Sequence, residues 1–271
     1  MVSIQLAVLD MAGTTVRDDG LVERAFDAAL RESGVGAGAR EAAQRHVRET
    51  MGQSKIEVFR ALFPGDEERA QRGNAAFERH CEELAHECEP VPGAERVVRT
   101  LRESGVRTCL TTGFSRSTRQ RLLDRLGWAD LADLALSPED AGRGRPHPDM
   151  VLTAVLRLRI DDVRSVAVVG DTGSDVLAGL RSGASVVAGV LTGAHDRATL
   201  EDHGATHVLP SVADLPDIVA RDAFGAGAGA VPRGTAPAFQ SDVDISVRSA
   251  RCGERIAGMS ASAVPRRARI W

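Results

Sequence analysis

SVAVVG at 165–170, running straight into DTGSD at 171–175, is the clearest strand-to-helix junction in the chain. The Val-rich run is unbroken by charge and reads as a buried strand. Asp171 stands at its carboxyl end, and a helix is expected over about 174–182. Working outward, a helix is expected over about 148–158, a weak strand over 131–136, a helix over about 116–126, a strand over 106–111 and a helix over roughly 94–104. Downstream come a strand at 185–190, a short strand at 206–209 and a helix near 212–220. At the amino end SIQLAVL at 3–9 is one more apolar run. It stops at Asp10, before the turn Ala12-Gly13-Thr14-Thr15. Strands alternating with helices imply an α/β fold, a Rossmann-like parallel sheet with helices on both faces. Sites in such sheets lie at the carboxyl ends of the strands. Those ends here carry Asp10, Thr112 and Asp171.

The stretch at 16–90 has a different character. Val22, Phe26, Ala29 and Leu30 repeat at helical spacing up to Gly34-Val35-Gly36, and two or three further helices are punctuated by Met51-Gly52 and Phe63-Pro64-Gly65. No strand signal interrupts them, so a helical cap domain at 16–90 is expected to be inserted into a core made of 1–15 and 91–222. Pro90-Val91-Pro92-Gly93 marks the return. From 223 to 271 the chain loses periodicity, opens with GAGAGA at 225–230 and carries an excess of Arg. This tail is expected to be disordered. GAGAGA lacks the preceding strand and the GK[ST] of a phosphate loop.

Composition narrows the function. With 3% aromatics and no Tyr, aliphatic side chains must fill the core. A formal charge of -4 gives no reason to expect a nucleic-acid or membrane partner. The amino terminus lacks a basic n-region and a cleavage site, and Cys81, Cys88, Cys109 and Cys252 show no CxxC spacing. A cytoplasmic protein with reduced thiols is expected. His80, Cys81, His86 and Cys88 scatter around a helix and do not form a zinc site. Lys and Arg together number 34, and Lys55 is the only lysine among them. Arg can replace Lys as a positive charge, but cannot lose its proton and attack a carbonyl.

Four pieces in consistent order carry chemistry: Asp10 after the first strand, Thr112 after the second, Arg145 in GRGRPHPDM, and Asp171 with Asp175 in GDTGSD. Phosphoryl transfer requires a nucleophile, charge neutralisation and in-line positioning. Asp10 is the expected nucleophile. Asp10 and Asp171 are hard oxygen ligands for Mg²⁺, and Asp175, one turn on, can hold a metal-bound water. Thr112 would donate to a phosphoryl oxygen and Arg145 would neutralise charge. GDTGSD also fits a helix N-cap with an acidic first turn, which leaves the other three pieces unconnected.

VLDMAGTT, LTTGFS, GRPHP and VVGDTGSD resemble the motifs of the haloacid dehalogenase superfamily, over roughly residues 1–220. Phosphatases of that superfamily carry an acid/base Asp two residues after the nucleophile. Here the position is Ala12, whose backbone carbonyl can still ligate Mg²⁺. DMAGTT is similar to the motif of one branch, the phosphonoacetaldehyde hydrolases, in which a cap lysine forms an imine with the substrate aldehyde and carbon departs as an enamine. The resemblance places that lysine in a Met-Gly-x-x-Lys segment, here Met51-Gly52-Gln53-Ser54-Lys55. It implies Asp10, Lys55 and Arg145 as catalytic residues, Thr112, Gly113, Met51 and Gly52 as substrate-binding residues, and Asp10, Ala12, Asp171 and Asp175 around the metal. A cap-mediated homodimer is implied as well. The chain departs from the branch at Val58, where a His is common, and at Phe114, where an aromatic hydroxyl is common. Besides cleavage of a small phosphonate, two readings stand: a phosphomonoesterase acting on a small phosphate such as phosphoglycolate, and an inactive phosphate or phosphonate sensor. His147 lies near the proposed site.

Overall fold

The computed structural model describes residues 3–224, and the expectation for the tail lies, from 225 on, outside the described residues. Six parallel strands form one sheet: β1 (Leu6–Asp10), β2 (Arg107–Thr111), β3 (Leu134–Leu136), β4 (Val166–Gly170), β5 (Val186–Val190) and β6 (His207–Leu209). Their spatial order is β3-β2-β1-β4-β5-β6, a Rossmann-like, doubly wound arrangement. β1, β4 and β5 are buried along their whole length, as strands covered on both faces must be. Ala7 and Leu9 of β1 pack into one apolar cluster with Val97, Val98 and Leu101, while Leu6 and Val8 pack into another with Met150, Val151 and Ala154. The alternation of a strand's side chains therefore feeds two helical layers. One contains α5 (Ala94–Glu103), the other α7 (Asp149–Arg157).

Between β1 and α5 the chain forms four helices: α1 (Leu21–Glu32), α2 (Ala37–Glu49), α3 (Lys55–Leu62) and α4 (Glu67–Leu84). Phe26, Phe59 and Phe77 meet at their shared core, with ring centres 4.4 to 6.3 Å apart. The remaining helices are α6 (Arg116–Leu126), α8 (Gly173–Ser182), α9 (Arg197–Asp202) and α10 (Leu215–Phe224).

Three details differ from the sequence reading. β3 has three residues instead of six, because Leu131 closes a turn on Trp128 (N–H to carbonyl, 3.1 Å) and both pack inward. Residues 197–202, to which the sequence reading assigns no element, form α9 behind an Asp196 cap. The last helix follows a 3₁₀ turn at Val212–Asp214 and runs to Phe224, past the expected start of the tail at 223. Among the described residues no helix is long and apolar enough to cross a membrane.

Candidate active site

The order of the sheet reverses between β1 and β4, and ligand crevices open at such a switch point. Asp10 ends β1 and Asp171 follows β4. Asp175 joins them from the first turn of α8, where Thr172 is the N-cap and its hydroxyl accepts from the Asp175 N–H. GDTGSD is thus a helix cap and part of the acidic cluster at once. One carboxylate oxygen from each of Asp10, Asp171 and Asp175 lies within 4.8 Å of the others. All three residues are buried, at 3–4% exposure.

Arg145 is the positive charge in their midst. Its Nη1 pairs with both Asp10 and Asp175, while its buried Nε has no partner. Burial pushes the Asp10 carboxyl up to about 7 against the pull of Arg145. Asp171 is raised well above the usual carboxylate range, first by burial and then by repulsion from Asp10 and Asp175. Three buried carboxylates facing one guanidinium leave uncompensated negative charge, which is costly unless a cation or protons relieve it. The oxygen-only donor set fits a hard divalent cation. Asp171 is oriented by the Thr14 hydroxyl (3.2 Å) and the Ala194 amide (2.8 Å). The loop supplying Ala194 also sends the Thr192 hydroxyl to the Gly13 carbonyl (2.7 Å). Nothing in the residue types of 191–195 announced that support.

Lys55 enters from the other side, at the first position of α3, and is only 6% exposed. Its Nζ lies 5.7 Å from the ring centre of Phe26, 6.0 Å from Phe77 and 5.5 Å from Phe114. Among the described residues it forms no salt bridge. Burial first, and then the Arg145 charge, lower its pKa. The segment bearing it is seated on the strand ends by backbone. The Lys55 N–H donates to the Gly113 carbonyl at 3.4 Å. A Cβ at Gly113 would collide with the Gln53 carbonyl oxygen, and one at Gly52 (φ +82°) with the Thr172 hydroxyl. Glu78 of α4 accepts from the Ser115 hydroxyl at 2.6 Å and fastens the same seam.

Asp10, Ala12, Met51, Gly52, Lys55, Thr112, Gly113, Arg145 and Asp171 line a single cavity. Asp175 stands just behind it. His147 lines a separate outer cleft, together with Arg60 and Glu78, that reaches Lys55 and Arg145. Cys81 points inward from α4 while His80 faces Glu32 and Glu83, so the His/Cys run is not a ligand set. The sequence reading passed over Asp18, which also lines the cavity.

The sequence pattern of the haloacid dehalogenase-like hydrolases matches residues 4–183. A phosphonoacetaldehyde hydrolase of Bordetella pertussis is 29% identical over 259 residues, spanning 81% of this chain and 92% of that protein. Among solved structures, a phosphonoacetaldehyde hydrolase-like protein from Oleispira antarctica superposes with a TM-score of 0.70 at 24% identity, covering 83% of this chain and 95% of its own. A protein described as a predicted phosphoglycolate phosphatase, from Haemophilus somnus, gives 0.67 at 17% identity over 80% of this chain and 99% of its own. The two structural likenesses speak to the fold alone.

Proposed function

Since the chain belongs to the haloacid dehalogenase-like hydrolases, we propose that it cleaves the carbon–phosphorus bond of phosphonoacetaldehyde or a related small phosphonate. The observation that carries this reading is Lys55, the only lysine, buried in the same cavity as Asp10. A solvated surface amine would be protonated at neutral pH and unreactive toward carbonyls. Burial beside Arg145 favours the free amine that an imine-forming lysine needs.

In this reading residues 16–90 act as a cap over a core of 1–15 and 91–222, and exclude water from the cavity. Lys55 attacks the aldehyde carbon and, with loss of water, holds it as an imine. Thr112 and Arg145 hold the phosphonyl oxygens. Asp10 attacks phosphorus, the C–P bond breaks, and its electron pair flows toward the imine nitrogen to give an enamine on Lys55. Protonation and hydrolysis release acetaldehyde, and water frees phosphate from Asp10. A carbon leaving group stabilised in this way needs no acid from position 12, so Ala12 is compatible with the chemistry. Mg²⁺ held by Asp10, Asp171 and the Ala12 carbonyl, and through water by Asp175, would neutralise the repulsion between nucleophile and phosphonate. The proposed partner is the small substrate, in a cytoplasmic setting, and a homodimer formed through the cap.

The test is release of phosphate and acetaldehyde from phosphonoacetaldehyde with Mg²⁺, in wild type and Lys55→Arg. Arg keeps the charge and removes the amine chemistry. Turnover should fall by about 10³-fold or more in the variant, as expected when a covalent catalyst is removed. Equal cleavage of p-nitrophenyl phosphate or phosphoglycolate by both proteins, without C–P cleavage, would establish a phosphomonoesterase instead. Binding with no turnover of any substrate would make the chain a sensor.

A further inference from the structure

We propose that Asp18 is the acid–base partner of Lys55, moving protons to and from the substrate's carbonyl oxygen while the imine forms. This rests on the C–P cleavage reading above. Asp18 and Lys55 line the same cavity. Its carbonyl and side chain cap the start of α1, where Oδ1 accepts from the Val22 N–H at 2.9 Å. That bond fixes one oxygen, and the other has no donor among the described residues. Asp18 also lines a wider cleft with Glu23, Arg48, His195 and Asp196 on the far side. A carboxylate that borders both the cavity and the wider cleft can exchange protons with water through the cleft.

The other groups near Lys55 are unsuited. Asp10 is committed to phosphorus, and Arg145 holds its proton more tightly than a free guanidinium. Burial keeps the Cys81 thiol protonated. Val58, one turn beyond Lys55 on the same helix, carries no polar atom on its side chain. Asp171 belongs to the acidic cluster, and Glu78 is engaged by the Ser115 and Thr118 hydroxyls. Asp18 is the carboxylate left in the cavity, and burial raises its pKa against the pull of the Val22 amide and the Lys55 charge.

The Nζ lone pair forms the C–N bond and the carbonyl π pair goes to oxygen. Asp18 takes the surplus proton from nitrogen and gives it to that oxygen, making the carbinolamine. A second proton, reaching Asp18 through the cleft, goes to the hydroxyl. The C–O bond breaks, water leaves, and the nitrogen lone pair closes C=N.

The experiment is time-resolved borohydride trapping of the Lys55 adduct with phosphonoacetaldehyde, read by intact mass, in wild type, Asp18→Asn and Asp18→Glu. Asn can still accept from the Val22 amide, so α1 keeps its start, and melting temperatures check this. Adduct formation should slow by about 10²-fold or more in Asp18→Asn, the usual worth of a positioned acid–base group, and recover in part in Asp18→Glu. The melting-temperature rise given by inorganic phosphate with Mg²⁺ should be the same in all three. Trapping at the wild-type rate in Asp18→Asn overturns the role of Asp18 and leaves the C–P reading intact. No adduct in wild type overturns both.

Discussion

The Nζ of Lys55 lies 5.5 Å from the ring centre of Phe114, across the seam between α3 and the loop after β2. Phe26 on α1 and Phe77 on α4 complete the enclosure. Three of the four groups belong to the helical insertion and the fourth to the sheet. The apolar surroundings that favour the free amine are therefore complete only when the two are in contact. In the proposed mechanism, reactivity at Lys55 would in this way be tied to contact between the insertion and the strand ends that carry Asp10.

An ammonium held among phenyl rings costs stability, so Lys55→Met should stabilise the fold. Replacing a buried charge with an apolar side chain of similar length is worth about 1 kcal/mol or more. Burial lowers the folded pKa of Lys55 below its unfolded value. The unfolded chain then binds the proton more strongly, and wild-type stability rises with pH through that window. The advantage of Met should be largest at pH 7 and shrink toward pH 10, where the unfolded lysine too begins to lose its charge. Thermal melts of both proteins at the two pH values check this, and a Met variant less stable at pH 7 would mean that Lys55 is well solvated.

The acidic cluster gives the opposite sign. Asp10 rises from 3.8 to about 7 in the fold, and Asp171 rises too, both mainly through burial. The native state therefore holds more protons than the unfolded chain between pH 4 and 7, and metal-free protein should lose stability as pH climbs through that range. A bound Mg²⁺ would supply the missing positive charge. Its addition should raise the melting temperature more at pH 7.5 than at pH 5, where protons compete for the same oxygens. Asp171→Asn should abolish most of the Mg²⁺-dependent rise. Equal shifts at both pH values, or a full shift in the variant, would show that the cation binds elsewhere.

The frame of this site was legible in the sequence because parallel α/β topology converts order along the chain into position in space. Asp10 and Asp171 needed only to be the residues that end two apolar runs. The insertion was legible from the helical spacing of Val22, Phe26 and Leu30. The lining of the cavity was not. Phe26, Phe77 and Phe114 come from three distant segments, and Phe26 reads as ordinary helix core at the spacing it occupies. Phe114 registered only as a missing hydroxyl. Asp18 is one of several charges before a helix, and capping a helix or lining a cavity leaves the same residue type. The loop at 191–195 carries no periodicity, and its contribution to Asp171 is backbone: the Ala194 amide.

Gly113 and Thr112 are neighbours whose loss should fail differently. The Thr112 side chain is buried just after β2, in the cavity with Asp10, and in the proposed mechanism Thr112→Ala would take a donor from the phosphonyl group. Phosphate release should fall while borohydride still traps Lys55. Gly113→Ala puts a methyl against the Gln53 carbonyl oxygen, so the segment carrying Lys55 cannot sit down on the strand ends. A displacement on the order of 1 Å at the reacting groups costs roughly 10²-fold. Trapping and phosphate release should therefore fall together, with the melting temperature changed by only a few degrees because the sheet is untouched. Wild-type trapping and turnover in Gly113→Ala would mean that the seam is open during catalysis, and that the Lys55 enclosure is not the reactive arrangement.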